Sequence, residues 1–239
     1  MKILITNDDG INSPVLPLLA KWAQKLGDVT IAAPKIEQSG KSQAIDFTHP
    51  IEVTKVEIAL DMFGYAVAST PADCVRFGVH GLKQSYDLII SGINRGYNLG
   101  DDIVYSGTCG AIFEGSRMGI NGLEISSDID NLIESAESLD FIWDFIQKNK
   151  LFDYNLLYNV NIPPKPKNDI RITKQGGIYY CDTFVHDNEN LYIQTGYIWQ
   201  DSGNDPTSDI IAVRQSAISV TPLITTRTEM NVYKKLNNL

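Results

Sequence analysis

Over the first half of the chain, short apolar runs alternate with segments whose apolar residues return every three or four positions. This is the pattern of buried strands separated by amphipathic helices. KILIT (Lys2 to Thr6) is the first strand. Val15, Leu18, Leu19, Trp22, Ala23 and Leu26 then share one helical face, with Ser13 placed to cap it, Pro14 suited to a first turn and Gly27 at its stop. Pro17 moves the regular part of this helix to about Leu16. VTIAAP (Val29 to Pro34) is a second strand, followed by the polar loop KIEQSGKSQ, and β-like runs from Ala44 to Ala68 are broken by Pro50 and Gly64. Thr70, Pro71 and Asp73 form a helix start resembling a capping box, with the helix reaching about Gly81. Strands at Asp87 to Ser91 and Gly122 to Ser126 flank a short, tightly packed helix beginning near Thr108, and Ile129, Leu132, Ile133, Ala136, Leu139, Ile142 and Ile146 predict one long amphipathic helix.

Repeated strand and helix segments imply parallel βαβ units. The predicted fold is α/β and Rossmann-like, a mostly parallel, doubly wound sheet flanked by helices. After Pro163 the pattern changes: residues 164–215 carry short strand-like pieces between Gly, Asn, Asp and Pro clusters with no helical period, which predicts a β-rich extension or hairpin arm.

In an open parallel sheet, ligands bind beyond the carboxyl ends of the strands, and there the polar residues concentrate. Asn7, Asp8, Asp9 and Gly10 follow strand one, Gln38, Ser39 and Gly40 follow strand two, and Ser91, Gly92, Ile93 and Asn94 follow strand three. A bend at Gly10 would turn Asp8 and Asp9 toward one point, where two carboxylates repel unless a cation lies between them. With Ser39 and Asn94 the donors are all oxygen, which suits Mg²⁺, Mn²⁺ or Ca²⁺ rather than zinc. For the aspartate pair alone, the other reading is a solvated loop or a cap. The segment Ser91 to Ser106 shows no element of its own, and connections of that length are usually functional or disordered. Ser106, Gly107 and Thr108 then open a helix, where free N–H groups, two hydroxyls and the dipole could hold a phosphate, or the hydroxyls could simply cap. A cation beside a phosphate cradle points to phosphate-ester chemistry.

The remaining candidates are weaker. His49, His80 and His186 are isolated; Cys109 has no evident base; Asp101, Asp102 and Tyr97 read equally as solvated loop residues. No GxGxxG follows strand one and no GxxxxGK[ST] occurs, which removes the main support for dinucleotide and P-loop readings. Composition narrows the class further. The 239 residues carry 29 acidic and 20 basic side chains, a net −9, which disfavours a nucleic-acid polymer as partner. The first residues form neither a signal peptide nor a lipidation signal, no apolar run approaches the roughly 20 residues of a membrane helix, and three widely spaced cysteines predict a reducing cytoplasm rather than disulfides.

Taken together, ILITNDDG, AAPKIEQSG, STPADCV (Ser69 to Val75) and above all SGINRGYNLGDDIVYSGTCGAIFEG (Ser91 to Gly115) resemble the SurE family, the stationary-phase survival proteins that act as metal-dependent nucleotidases. Weaker similarity continues through VNIP (Val160 to Pro163) and ISVTPL (Ile218 to Leu223). The resemblance implies a Rossmann-like core over residues 1–163. Residues 164–239 would form a β-rich arm and a C-terminal oligomerisation segment, all in one continuous unit. It also implies homodimers with exchanged C-terminal segments, often paired into tetramers. The implied activity is release of phosphate from nucleoside 5′- and 3′-monophosphates, sometimes from short polyphosphate; the competing readings are a non-catalytic nucleotide-binding or sensor protein and a predominant exopolyphosphatase. By position, Asp8, Asp9, Ser39 and Asn94 would hold one divalent metal, with Asp8 and Asp9 catalytic, while Asn94, Asn98, Ser106, Gly107 and Thr108 would bind the substrate phosphate. Ser13, Val15, Ser69 and Cys109 stand where the family usually has Ala, Gly, Gly and Val.

Overall fold

The computed structural model describes residues 1–237. The chain runs β1 (Lys2–Thr6), α1 (Leu16–Ala23), β2 (Asp28–Pro34), β3 (Val53–Ala59), β4 (Met62–Val67), α2 (Pro71–Arg76), β5 (Leu88–Arg95), α3 (Gly107–Ser116), β6 (Asn121–Ser127), α4 (Leu139–Lys148), β7 (Leu157–Ile162), β8 (Ile170–Ile172), β9 (Tyr180–Asn188), β10 (Leu191–Ile198), α5 (Asp209–Arg214), β11 (Ile218–Leu223) and α6 (Met230–Leu236). Nine strands make one sheet in the order β3-β4-β2-β1-β5-β6-β7-β11-β8, parallel from β4 through β7, while β9 and β10 form a separate antiparallel hairpin. The α/β, mostly parallel expectation is met, and β8 and β11 extend the same sheet.

Strands covered on both faces must be apolar along their whole length. Accordingly Ile3, Leu4 and Ile5 of β1 and Leu88, Ile89 and Ile90 of β5 are fully buried or nearly so. Ile3 and Ile5 pack with Leu16, Leu19 and Trp22 of α1 on one face, whereas Leu4 and Ile89 pack with Cys74, Val75 and Ile112 of α2 and α3 on the other. From β1 the chain winds outward one way through β2 to β4, then returns to β5 on the other side of β1. The gap between the ends of β1 and β5 is therefore the switch point where such folds bind ligands.

Four local expectations are corrected. Val15, not Ser13, is the N-cap of α1, and the Ser13 hydroxyl finds no partner among the described residues. Gly64 does not break the 44–68 region but lies inside β4, where it spaces Ile11 and Ile31. The predicted long helix is a 3₁₀ turn at Glu134–Ser138 followed by α4, with Ile129 and Ile133 left exposed. The 164–215 region contains one helix, α5, of only six residues, too short to display a period. The capping-box expectation at Thr70 holds in half: its hydroxyl accepts the Asp73 amide at 3.2 Å, but the Asp73 carboxylate takes the Asp46 amide and Ser69 hydroxyl instead.

Candidate phosphate and metal crevice

The end of β1 bends because Asn7 and Gly10 close on one another. The Asn7 side-chain amide donates to the Gly10 carbonyl and its oxygen accepts the Gly10 N–H, both at 3.0 Å. Gly10 has a φ of +96°, which glycine adopts without steric cost. Asp8 is thereby turned inward and buried, and Asp9 is half-buried. The loop after β2 is stitched over this bend, with the Gln38 N–H donating to the Asp8 carbonyl at 2.7 Å and the Ile11 N–H to the Pro34 carbonyl at 2.8 Å.

On the far side, β5 continues beyond Ser91 to Arg95, with a bulge around Gly92 and Ile93 against β6. The segment 91–106 is thus not devoid of structure, since it also holds a 3₁₀ turn at Gly100–Tyr105. The Arg95 N–H donates to Asp9 Oδ2 at 3.1 Å, tying the ends of β1 and β5 together at the switch point. Asp8 Oδ1 accepts the Thr108 hydroxyl at 2.8 Å. Gly107 permits this approach, because a Cβ there would stand 3.0 Å from Asp8 Cβ and 3.1 Å from its Oδ2.

Asp8, Ser39, Asn94, Asn98 and Ser106 line one cavity of about 250 Å³, together with Gly40, Arg95, Gly96, Tyr97, Asp102 and Tyr105. Of the expected site residues, Asp9, Gly107 and Thr108 are not among those lining it; Asp9 is held by the Arg95 N–H, and Thr108 reaches the site through Asp8. A larger cleft of about 430 Å³ lies elsewhere, lined mostly by Met1, Leu88, Trp143, Ile146, Leu151 and Phe152. It brings together no comparable set of oxygen donors, so the smaller crevice is the stronger candidate on chemical grounds.

The donors differ in readiness. The Ser39 hydroxyl donates to Glu37 Oε1 at 2.7 Å and Asn94 Nδ2 to the Gly96 carbonyl at 2.8 Å, so the Asn94 oxygen remains available. Ser106 is the N-cap of α3, its Oγ accepting the Cys109 amide at 3.0 Å while its own proton stays free. Gly107 and Thr108 supply first-turn N–H groups that no helix can satisfy internally. Asn98 is buried, and its amide protons point to Glu124 and Ser126 rather than into the cavity. Cys109 is fully buried, and burial pushes its thiol well above the usual range, so it is no nucleophile here.

The electrostatics identify what the donor set lacks. Desolvation raises the Asp8 carboxyl above its ordinary value, and desolvation with the nearby Asp8 charge raises Asp9 to about 6. Glu37 adds repulsion at both. Two adjacent carboxylates pushed up by burial, Asp9 further by the Asp8 charge, beside an uncommitted amide oxygen and a hydroxyl, fit a hard divalent cation. Among the described residues no group of three or more His, Cys, Asp or Glu forms a metal cluster; the set here has two carboxylates and relies on neutral oxygens for the rest.

Several contributors escaped the sequence reading: Glu37, Glu124, Ser126, Asn159 and Asn161. A polar residue inside an apolar run was the available signal for three of them, Glu124 in GLEIS and the two asparagines in LYNVNI.

Comparison with known proteins agrees with this geometry. The family model described as Survival protein SurE matches residues 3–182. The chain is 37% identical to the 5′-nucleotidase SurE of Thermosipho melanesiensis, over 99% of this chain and 96% of that protein, and 35% identical to that of Clostridium botulinum, over 99% of each. The crystal structure of the SurE protein from Aquifex aeolicus superposes with a TM-score of 0.81 at 30% identity, covering 100% of this chain and 99% of that one. With matches of this extent, and with the crevice formed at the expected strand ends, the chain belongs to the SurE survival-protein family.

Proposed function

We propose that this protein is a divalent-metal-dependent 5′-nucleotidase, a phosphomonoesterase that releases phosphate from nucleoside 5′-monophosphates and also from 3′-monophosphates. The observation that carries the reading is the approach of Asp8 to the first turn of α3 at the β1–β5 switch point. Supporting it, the Asp8 carboxylate, the Ser39 and Ser106 hydroxyls and the Asn94 amide line one small cavity, in a chain at least 35% identical to proteins named 5′-nucleotidase.

Asp8, Asp9, Ser39 and Asn94 would hold one Mg²⁺ or Mn²⁺, with Ca²⁺ as an alternative occupant. When bound, such an ion supplies Lewis acidity at the phosphoryl group and lowers the pKa of water. The chain's own residues do the rest. The Gly107 N–H, the Ser106 hydroxyl and the Thr108 N–H, which the Asp8 carboxylate shares, would face the phosphoryl oxygens, and the α3 dipole favours negative charge there. Thr108 orients Asp8 by its hydroxyl, and the Arg95 amide orients Asp9. The cavity of about 250 Å³ shares Gly40, Asp102 and Tyr105 with a neighbouring one of about 480 Å³, which leaves room beyond the phosphate for the rest of the ester.

The same reading extends to assembly and place. The exposed Phe184, Tyr192 and Ile193 on the β9–β10 hairpin, and Val232, Tyr233 and Leu236 on α6, are apolar surfaces suited to a second copy of the chain. We assign them to a homodimer with exchanged C-terminal segments, which light scattering on the purified protein would count. Cys74, Cys109 and Cys181 are unpaired thiols, which suits a reducing cytoplasm, and no described helix is long and apolar enough to cross a membrane.

The direct test is phosphate release from 5′- and 3′-mononucleotides and tripolyphosphate by chelator-stripped protein, with Mg²⁺ or Mn²⁺ restored. Metal-restored turnover of monophosphates supports the reading; binding without release favours a sensor, and preference for tripolyphosphate favours a polyphosphatase.

A further inference from the structure

Glu124 stands in the middle of β6 with no solvent exposure, flanked by Leu123 and Ile125, which are equally buried. A carboxyl group in an apolar strand is costly unless bonded or paired. Among the described residues no cation pairs with Glu124: the Asn98 amide, at 3.0 Å, and the Ser126 hydroxyl both donate to Oε1, and the Val160 backbone N–H also favours its charged form. Oε2 is buried with no partner among the described residues. Burial pushes its carboxyl up to about 8. An apolar residue here would remove the unpaired Oε2 but would strand the buried Asn98 Nδ2 and Ser126 hydroxyl donors, so the acid belongs with those two neighbours rather than with the apolar strand around it.

What Glu124 touches is one wall of the crevice. Asn98 is gripped on every side but one. Its Nδ2 donates to Glu124 and, at 2.9 Å, to Ser126; its backbone N–H donates to Asn161 Oδ1 at 2.9 Å; and its carbonyl accepts Nδ2 of Asn159 at 2.8 Å and of Asn161 at 3.0 Å. Asn159 and Asn161 are themselves joined at 3.1 Å. These partners sit on β6 and β7, inside the sheet, whereas Asn98 lies on the turn that leaves β5. Asn159 and Asn161 fix its backbone; only Glu124 and Ser126 fix its side chain.

We infer that Glu124 is a positioning residue, which through Oε1 holds the Asn98 side chain in one orientation at the wall of the phosphate crevice. The inference rests on the nucleotidase reading for Asn98 as a substrate contact, made through Oδ1 to a protonated substrate oxygen because both Nδ2 protons are committed to Glu124 and Ser126, and on hydrogen bonds alone for the coupling. Displacing a site group by about 1 Å can cost up to 100-fold in rate, which sets the scale of the expected effect.

The experiment is a mutant cycle on the full chain with Mn²⁺, read both as kcat/KM on a 5′-mononucleotide and as the affinity for inorganic phosphate. Glu124→Gln keeps an Oε1 acceptor and should stay within about threefold of the unaltered protein, whereas Glu124→Met should lose about 10- to 100-fold when assayed well below its melting temperature, which the stranded Asn98 and Ser126 donors lower. Adding Glu124→Met to Asn98→Ala should cost nothing more, because a residue that acts through another has no effect once that other is gone. Should Glu124→Met not fold, Ser126→Ala severs the second side-chain tether and enters the same cycle. Full activity in Glu124→Met, or losses that add with Asn98→Ala, would overturn the inference while leaving the nucleotidase reading standing. A non-additive loss of phosphate affinity without turnover in any form would keep the positioning role and reject the nucleotidase; neither phosphate binding nor turnover in the unaltered protein would reject both.

Discussion

The Thr108 hydroxyl donates to Asp8 Oδ1 across 2.8 Å, a buried bond between residues 100 positions apart that locks the start of α3 to the end of β1. A bond to the charged form of a carboxyl favours that form, so Thr108 counteracts the desolvation that raises Asp8. Thr108→Val keeps the shape and deletes the donor, and should cost about 2 kcal/mol of stability, the scale of a buried hydrogen bond to a charged group. Mn²⁺ affinity and kcat/KM should each fall by about tenfold or more, since support of a metal ligand has been removed. Thr108→Ser, which retains the hydroxyl, should behave like the unaltered protein in calorimetry and in phosphate release. A loss in Thr108→Ser with none in Thr108→Val would show that the methyl group, not the bond, matters.

The acid–base balance of the crevice predicts how stability responds to pH. Glu124 is raised to about 8 by burial; Asp9 is raised to about 6 by burial and the Asp8 charge; Asp102 is raised to about 6 by burial with Asp182 and Asp101 nearby. For each, the folded state holds its proton at pH values where the unfolded chain has lost it. Stability therefore falls as pH rises from the ordinary carboxyl range through about 8. Asp46 and Asp205 are lowered and act only in stronger acid, outside this window. Metal-free protein should thus melt at a higher temperature at pH 6 than at pH 8.5. Saturating Mn²⁺ should narrow the gap by pairing Asp8 and Asp9. A melting temperature that rises with pH in chelator would contradict the assignment.

How far the sequence disclosed this site depends on whether a residue's role is set locally. The bend at Asn7 to Gly10 and the cap at Ser106 are closed by bonds three residues apart, and both were readable from the residue types in order. The switch point followed from alternating periods, because β1 and β5 carry enough buried residues to show them. What was not readable was pairing across the fold. Glu124 looked like a strand residue because its partner Asn98 is 26 positions away, and Asn159 and Asn161 looked like gaps in an apolar run. The long helix from Ile129 failed for a related reason: apolar spacing persists through a 3₁₀ turn, so periodicity did not reveal that Ile129 and Ile133 face water.

Asp9 offers a separation of fold from function. Its charge is opposed by Asp8, Glu37 and burial, and favoured mainly by the Arg95 amide and side chain. Asp9→Asn removes the repulsion and keeps an oxygen for the Arg95 N–H, so the metal-free variant should melt a few degrees above the unaltered protein. Loss of a cation ligand removes several kcal/mol of transition-state stabilisation, so turnover should drop by roughly a thousandfold. Addition of Mn²⁺ should no longer raise its melting temperature. A variant that keeps both its turnover and its Mn²⁺ shift would remove Asp9 from the ligand set.

Asp209 tests whether the wall of the crevice depends on the arm. Its buried carboxylate accepts the Gly100 N–H at 3.0 Å, the Gly176 N–H at 2.8 Å and the Ile210 N–H at 2.7 Å. One side chain thus joins the turn after β5, the segment leading into the β9–β10 hairpin and the start of α5. The packing there has no slack: the Gly177 carbonyl oxygen lies 2.0 Å from where a Cβ on Gly100 would stand. Water has little access to replace the carboxylate, so Asp209→Ala strands buried N–H groups and should cost about 3 kcal/mol or more. Gly100 begins the 3₁₀ turn that carries Asp102 and Tyr105 to the cavity, so loosening it should raise KM more than it lowers kcat. Asp209→Asn, with one acceptor oxygen left, should fall between the two in melting temperature. Hydrogen exchange that quickens together at residues 99–106 and 175–178 in Asp209→Ala would show the wall and the arm opening as one unit. Exchange confined to α5 would show instead that Asp209 does no more than hold its own helix.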